Sequence, residues 1–125
     1  MSNRKVESEL LGRYTVENIS RDVKWTSDEP LDEGGENLGP RPTELLISSL
    51  TSCKLITMKM YAERKGWDIG RTKLTLTQLE STDKIVLEKK IIYPPHLTDE
   101  QKQRLTLIST KCPVAKSLAQ SVEFV

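Results

Sequence analysis

The sequence lacks the long apolar runs from which membrane-spanning segments are made. Its longest uninterrupted apolar stretches are three residues, such as Leu45–Ile47, whereas a transmembrane helix needs about 20. The opening segment MSNRKVESELLGRY carries charges throughout and has no apolar stretch typical of a signal peptide. We therefore expect a cytoplasmic protein with no membrane partner, in a compartment where thiols stay reduced.

The sequence also has no excess of charge of one sign and few aromatic residues. Nineteen basic residues face eighteen acidic ones, which gives a formal net charge of +1, and aromatic residues make up 5 % of the chain. A nucleic-acid-binding domain needs a basic patch, so we expect no nucleic acid partner. The length of 125 residues predicts a single domain, 1–125. Because few aromatic residues are available for its core, we also expect a second copy of the chain to complete that core.

Residues that bind transition metals are scarce. The chain has two cysteines, Cys53 and Cys112, and one histidine, His96, whereas a structural zinc site needs four ligands. We therefore expect neither a metal nor an organic cofactor. Two interpretations of the cysteines stay open at this point: two inert thiols, or a redox pair.

Alternation of apolar and polar residues predicts several short strands. They lie around residues 6–10, 14–16, 23–25, 74–77 and 85–93, with turns at residue 12 and at residues 81–83. The segment Ser27–Pro40 contains five acidic residues, three glycines, two prolines and no basic residue. This composition is typical of a solvated, mobile loop.

A long helix is predicted to follow that loop. Pro42 suits the first turn of a helix, and no further proline or glycine occurs before Gly66, which predicts an end near Lys65. Apolar residues point in nearly every direction around this helix, so we expect it to be buried almost all round. A second chain would supply the covering surface.

The last third of the chain predicts two shorter helices and a final strand. Thr98 and Gln101 form a capping-box pattern that begins one helix, and Pro113 begins another that reaches about Gln120. The alternation in Val122–Phe124 predicts a last strand. Strand pairs separated by helices in this order are typical of an α+β fold with antiparallel sheets.

Cys112 immediately precedes Pro113 and is therefore expected at the N-cap of the last helix. Free backbone N–H groups at such a position favour the thiolate, and Lys111 and Lys116 add positive charge nearby. These features give Cys112 a physical reason to be reactive. The alternative is that it is a small, inert residue of the core.

Cys53 lies inside the long predicted helix, where a cysteine is usually inert unless a partner activates it. The nearest upstream charges are Arg41 and Glu44. At about 100° per residue, Glu44 and Cys53 fall on opposite sides of an ideal helix. Glu44 therefore has an alternative interpretation as an acid that complements the dipole at the helix N-terminus.

Two segments considered together, GGENLGPRPTELLISSLTSC and KCPVAKSLAQ, resemble the OsmC/Ohr family of thiol peroxidases. The matching residues are Gly39-Pro40-Arg41-Pro42, Glu44-Leu45-Leu46, Cys53 in the same helix, and Cys112-Pro113-Val114 near the end. The predicted order of strands and helices extends the resemblance over most of the chain. One departure is Thr43, which stands where the peroxidase branches have a glutamate directly after the proline.

The resemblance implies an intertwined homodimer in which antiparallel sheets wrap around long central helices. It implies that Cys53 attacks organic hydroperoxides, that Cys112 resolves the resulting sulfenic acid to a disulfide, and that a dithiol reduces the disulfide. Arg41, favoured over Arg13 and Arg21 because it flanks the same helix, would order the site together with Glu44. The alternative is a non-catalytic dimer of this fold that binds a small apolar ligand in its interfacial pocket.

Overall fold

The computed structural model describes residues 4–125. In this range the elements are three strands, a short 3₁₀ turn, a long helix, two further strands and two helices. Their bounds are β1 Glu7–Leu10, β2 Val16–Ser20, β3 Val23–Ser27, the turn Leu31–Glu33, α1 Pro42–Lys65, β4 Lys73–Leu79, β5 Val86–Ile92, α2 Asp99–Ser109 and α3 Pro113–Ala119. The mixture of helices and antiparallel sheets confirms the predicted α+β class.

The chain divides into two compact units, one that ends at Leu46 and one that comprises Ile47–Val125. The single domain 1–125 stays a prediction. None of the helices among residues 4–125 has the length and apolar character needed to cross a membrane.

The first unit contains an antiparallel sheet in the order β1-β2-β3. The turn between β2 and β3 places Arg21 at φ 50° and Asp22 at φ 66°, the left-handed pair that a tight two-residue hairpin requires. Asn18 is buried in the middle strand, where it accepts from the Ser8 hydroxyl at 2.7 Å and donates to the Trp25 carbonyl at 3.2 Å. This side chain therefore ties the three strands together.

Asp28 organises the acidic loop that follows the sheet. Its side chain is buried, and its carboxylate accepts from the Thr15 hydroxyl at 2.8 Å and the Glu29 N–H at 2.7 Å. Longer contacts of 3.4 Å come from the N–H groups of Glu36 and Leu38. The prediction of a solvated segment is therefore wrong at Asp28, because one carboxylate fastens both ends of the loop.

The second unit packs α1, α2 and the antiparallel β4–β5 hairpin around one core. The pairing runs from Lys73 opposite Ile92 to Leu79 opposite Val86. The buried residues of this core are Met58, Ala62, Ile69, Leu74, Leu97 and Leu105. The predicted capping box of α2 is confirmed, since Thr98 and Gln101 each accept from the other's backbone N–H, at 3.1 Å and 2.9 Å.

The long helix has the predicted bounds, Pro42–Lys65, and one chain covers only part of its surface. Only Leu50, Met58 and Ala62 are buried along α1, whereas Ile56 is 54 % exposed and Met60 59 %. One chain by itself therefore leaves part of the helix exposed, and its burial by a second chain stays a prediction. The described part of one chain covers only one side of an apolar helix.

The strand predicted at Val122–Phe124 is absent from the structure. The last helix ends at Ala119, and no strand is formed by the residues that follow. Phe124 is 94 % exposed. Alternation alone is not enough to make a strand, because its backbone also needs a neighbouring edge with which to pair.

The hydrogen bonds accepted by the Asp28 carboxylate predict a pH-dependent effect of Asp28→Asn on stability. Burial opposes ionisation, but the hydrogen bonds from Thr15 and the backbone outweigh it, so the pKa of Asp28 lies below its usual value. The charged form therefore stabilises the fold above about pH 4, and this contribution is lost as the pH falls through the lowered pKa. Urea unfolding should show Asp28→Asn less stable than wild type at pH 7, with a gap that narrows below about pH 4.

The matched control is Asp32→Asn, which removes an exposed acid of the same loop. It should leave the free energy of unfolding nearly unchanged at every pH. An Asp28→Asn variant as stable as wild type at pH 7 would contradict the stabilising role of the Asp28 carboxylate.

Candidate active site

The two cysteines occupy different local environments in the second unit. Cys53 lies within α1 and is partly exposed, while Cys112 is fully buried. Cys112 is the N-cap of α3, as predicted, and its sulfur accepts from the N–H of Ala115 at 3.4 Å. Both thiols are free.

The fold brings these two thiols into contact. The side chains of Cys53 and Cys112 hydrogen-bond to each other, although they stand far apart in the sequence. Proximity of the two side chains is the first condition for a disulfide, which requires Cα atoms within about 7 Å of each other. The first turn of α3 lies at the same place, since the N–H of Val114 hydrogen-bonds to the sulfur of Cys53.

The surroundings of Cys53 favour its thiolate. Burial works to raise the pKa of the Cys53 thiol, and the hydrogen bond from the Val114 N–H is the largest effect in the opposite direction. The Cys112 thiol and the Thr57 hydroxyl also stabilise the anion, followed by the positive charge of Lys54. Together they outweigh burial, so the pKa of Cys53 is lowered.

The surroundings of Cys112 have the opposite effect. Burial raises the pKa of the Cys112 thiol, and the N–H of Ala115 and the ammonium of Lys54 compensate only in part. The neighbouring Cys53 raises it further, through the hydrogen bond and through charge repulsion. Burial and a second thiolate therefore outweigh the helix N-terminus at Cys112.

Arg41 and Glu44 form a second pair, at the start of α1. The Arg41 backbone N–H donates to Glu44 Oε1 at 2.9 Å, and Arg41 Nε lies 3.9 Å from the same oxygen. Both residues belong to the first unit, whereas both cysteines belong to the second. Glu44 thus has the helix-terminal position that its alternative interpretation describes, and the catalytic roles of Arg41 and Glu44 stay predictions.

Three further residues near the cysteines were not singled out from the sequence as site residues. The Lys54 ammonium donates to the backbone carbonyl of Ser109 at 3.1 Å, and the Lys89 ammonium lies 3.4 Å from the Ser109 hydroxyl. One signal was present in the sequence, because Lys54 is one of only two charged residues between Leu45 and Ala62. A charge within an otherwise apolar stretch usually has a specific partner.

The described residues contain no cluster of three or more His, Cys, Asp or Glu side chains able to hold a metal ion. A thiolate next to a buried protonated thiol is suited to nucleophilic attack followed by disulfide formation.

The family described as OsmC-like protein matches residues 34–125. This range includes α1 with Cys53 and the α3 start with Cys112. The chain belongs to the OsmC-like protein family. The predicted family resemblance and fold are thereby confirmed, while no curated protein matches the chain.

Solved structures with the OsmC-like fold match nearly the whole chain. A Psychrobacter arcticus protein, with a proposed role as an osmotic stress induced and detoxification response protein, is 26 % identical with a TM-score of 0.78, over 94 % of this chain and 88 % of that one. An OsmC-like protein from Mycoplasma pneumoniae is 22 % identical with a TM-score of 0.72, over the same 94 % and 88 %.

Some structural neighbours are described as organic hydroperoxide resistance proteins. The organic hydroperoxide resistance protein OhrB of Bacillus subtilis is 18 % identical with a TM-score of 0.60, over 98 % of this chain and 94 % of that one. At this identity the likeness concerns the fold.

The opposite pKa shifts predict an order of reaction with an alkylating agent. When reduced protein meets a small excess of iodoacetamide at stepped pH, Cys53 should react at a lower pH than an ordinary thiol of pKa about 8.5. Cys112 should react only at higher pH, because it is buried and its pKa is raised. Peptide mass spectrometry assigns the modified residue.

The control is the same titration in concentrated urea, where both cysteines should react alike. Alkylation of Cys112 before Cys53 in the native protein would contradict the assigned pKa order.

Proposed function

We propose that this protein is a two-cysteine peroxidase that reduces organic hydroperoxides in the cytoplasm, as part of the defence against oxidative stress. The observation that carries the proposal is the contact between Cys53 and Cys112, whose pKa values are shifted in opposite directions. Membership of the OsmC-like family supports it, because structural neighbours are described as organic hydroperoxide resistance proteins.

The first step is attack by the Cys53 thiolate on the terminal oxygen of the hydroperoxide. A sulfur–oxygen bond forms, the oxygen–oxygen bond breaks, and the leaving alkoxide takes up the proton that Cys53 released. The products are the alcohol and the sulfenic acid of Cys53. The hydrogen bond from Val114 favours the thiolate form of this sulfur.

The second step is resolution by Cys112. Its thiolate attacks the sulfenic sulfur of Cys53, a disulfide forms, and the hydroxyl leaves as water with the proton from Cys112. The negative charge that raises the pKa of Cys112 disappears once Cys53 is a neutral sulfenic acid. Resolution is therefore favoured only after Cys53 has been oxidised.

A dithiol reductant completes the cycle by thiol–disulfide exchange. One of its thiolates attacks the disulfide, its second thiol closes the reductant's own disulfide, and both cysteines regain their protons. Arg41 and Glu44 keep the role implied by the family resemblance, which is to order the site. No metal or organic cofactor takes part in this proposed cycle.

We also propose that the working form is an intertwined homodimer. The support comes from α1, on which Ile56 and Met60 are more than half exposed although the helix is apolar on nearly every side. A second copy of the chain would bury these residues. The same apolar surface underlies the alternative function, a non-catalytic dimer that binds a small apolar ligand.

Intact-mass measurement tests the peroxidase directly. Fully reduced protein, mixed with one equivalent of cumene hydroperoxide, should lose both free thiols with a mass decrease of about 2 Da. In Cys53→Ser this loss should vanish, because the attacking thiolate is gone. Cys112→Ser should instead gain about 16 Da as the unresolved sulfenic acid, and about 32 Da once a second equivalent of hydroperoxide oxidises it further.

Unchanged hydroperoxide consumption in Cys53→Ser would show that Cys53 is not the nucleophile. Intact free thiols in the wild-type protein would overturn the peroxidase proposal and favour the ligand-binding alternative.

A further inference from the structure

Lys54 follows the proposed nucleophile directly and joins α1 to the end of α2. Its ammonium donates to the backbone carbonyl of Ser109 at 3.1 Å, and Ser109 is the last residue of α2. Ser109 is fully buried. The last carbonyls of a helix have no partner within the helix, and a buried carbonyl without one costs free energy. Lys54 supplies that partner, with a positive charge that suits a helix C-terminus.

This contact lies very close to Cys112 along the chain. Only Thr110 and Lys111 separate Ser109 from Cys112. Two consecutive residues of α1 therefore contact two points of one short segment, with Lys54 on Ser109 and Cys53 on Cys112. The segment 109–112, here called the α2–α3 corner, cannot leave α1 without breaking the Lys54 contact.

Two positively charged side chains approach Ser109 in the α2–α3 corner. Lys89 of β5 also approaches Ser109, at 3.4 Å from its hydroxyl, and burial followed by repulsion from Lys54 lowers the pKa of Lys89. Within residues 4–125 neither ammonium forms an ion pair with a carboxylate. The charge of Lys54 instead favours an anion on the neighbouring cysteines, since it acts to lower the pKa of both thiols.

We propose that Lys54 is a positioning residue that fastens the α2–α3 corner to α1 and thereby holds Cys112 within disulfide-forming reach of Cys53. This inference deepens the proposed function, since it names the residue on which fast resolution depends. It does not make Lys54 a catalytic residue, because the Lys54 ammonium donates to a backbone carbonyl and not to a reacting atom. The effect of Lys54 on the position of Cys112 relative to Cys53 can be measured without hydroperoxide.

The test measures how readily the two cysteines form a disulfide at equilibrium. Protein is incubated in mixtures of oxidised and reduced dithiothreitol, quenched with acid, and the oxidised fraction is read by intact mass. Cys53 and Cys112 lose two electrons and two protons as their disulfide forms, and oxidised dithiothreitol gains both as its dithiol. The effective concentration of one thiol at the other follows from the midpoint.

Three substitutions separate position from charge. Lys54→Met should lower the effective concentration about tenfold or more, because a hydrogen bond to a charged donor is lost, and should raise the pKa of Cys53 measured by alkylation. Lys54→Arg retains a cationic donor and should stay within about threefold of wild type. Lys89→Met removes a cation from the same serine without touching the carbonyl contact and should stay within about twofold.

Two results would overturn the proposal. One is a Lys54→Met variant within about twofold of wild type, and the other is an equal fall in Lys89→Met. If circular dichroism shows that Lys54→Met has lost helix, Lys54→Gln takes its place under the same criteria. Because no hydroperoxide is present, a wild-type protein that fails to reduce hydroperoxides would overturn the proposed function and leave this measurement able to decide the role of Lys54.

Discussion

The contact between the Cys53 and Cys112 thiols is the interaction on which the chemistry of this protein depends. One sulfur comes from the middle of a long helix and the other from the N-cap of a short one, so the approach of α3 to α1 determines whether the pair exists. That approach also supplies the N–H of Val114, which stabilises the Cys53 thiolate. Position and reactivity therefore have a single structural origin.

The same contact explains why the two thiols differ although both are cysteines of one site. Cys112 is fully buried, so loss of hydration on ionisation raises its pKa, and a neighbouring anion raises the pKa further. Cys53 is partly exposed, and the hydrogen bonds to its sulfur lower its pKa by more than burial raises it. An asymmetric pair of this kind can attack with one sulfur and hold the other in reserve for resolution.

The local features could be predicted from the sequence because their causes are local. Pro42 and Gly66 bound the long helix, the capping box begins α2, and Cys112 precedes Pro113 as an N-cap. The prediction of a strand at Val122–Phe124 was wrong, because a strand must pair with the edge of another strand that is distant in the sequence. The burial of Cys112 and the Lys54–Ser109 contact likewise depend on tertiary structure, so the spacing of residues along the chain cannot predict them.

The pH dependence of single-turnover oxidation tests the central claim most directly. Reduced protein is mixed rapidly with excess cumene hydroperoxide, and the loss of the Cys53 thiol is followed from pH 5 to pH 10. The account predicts a rate that rises along one ionisation below the ordinary thiol value of about 8.5, with the midpoint moved upward in Cys112→Ala. A midpoint at or above that value, unchanged in Cys112→Ala, would contradict it.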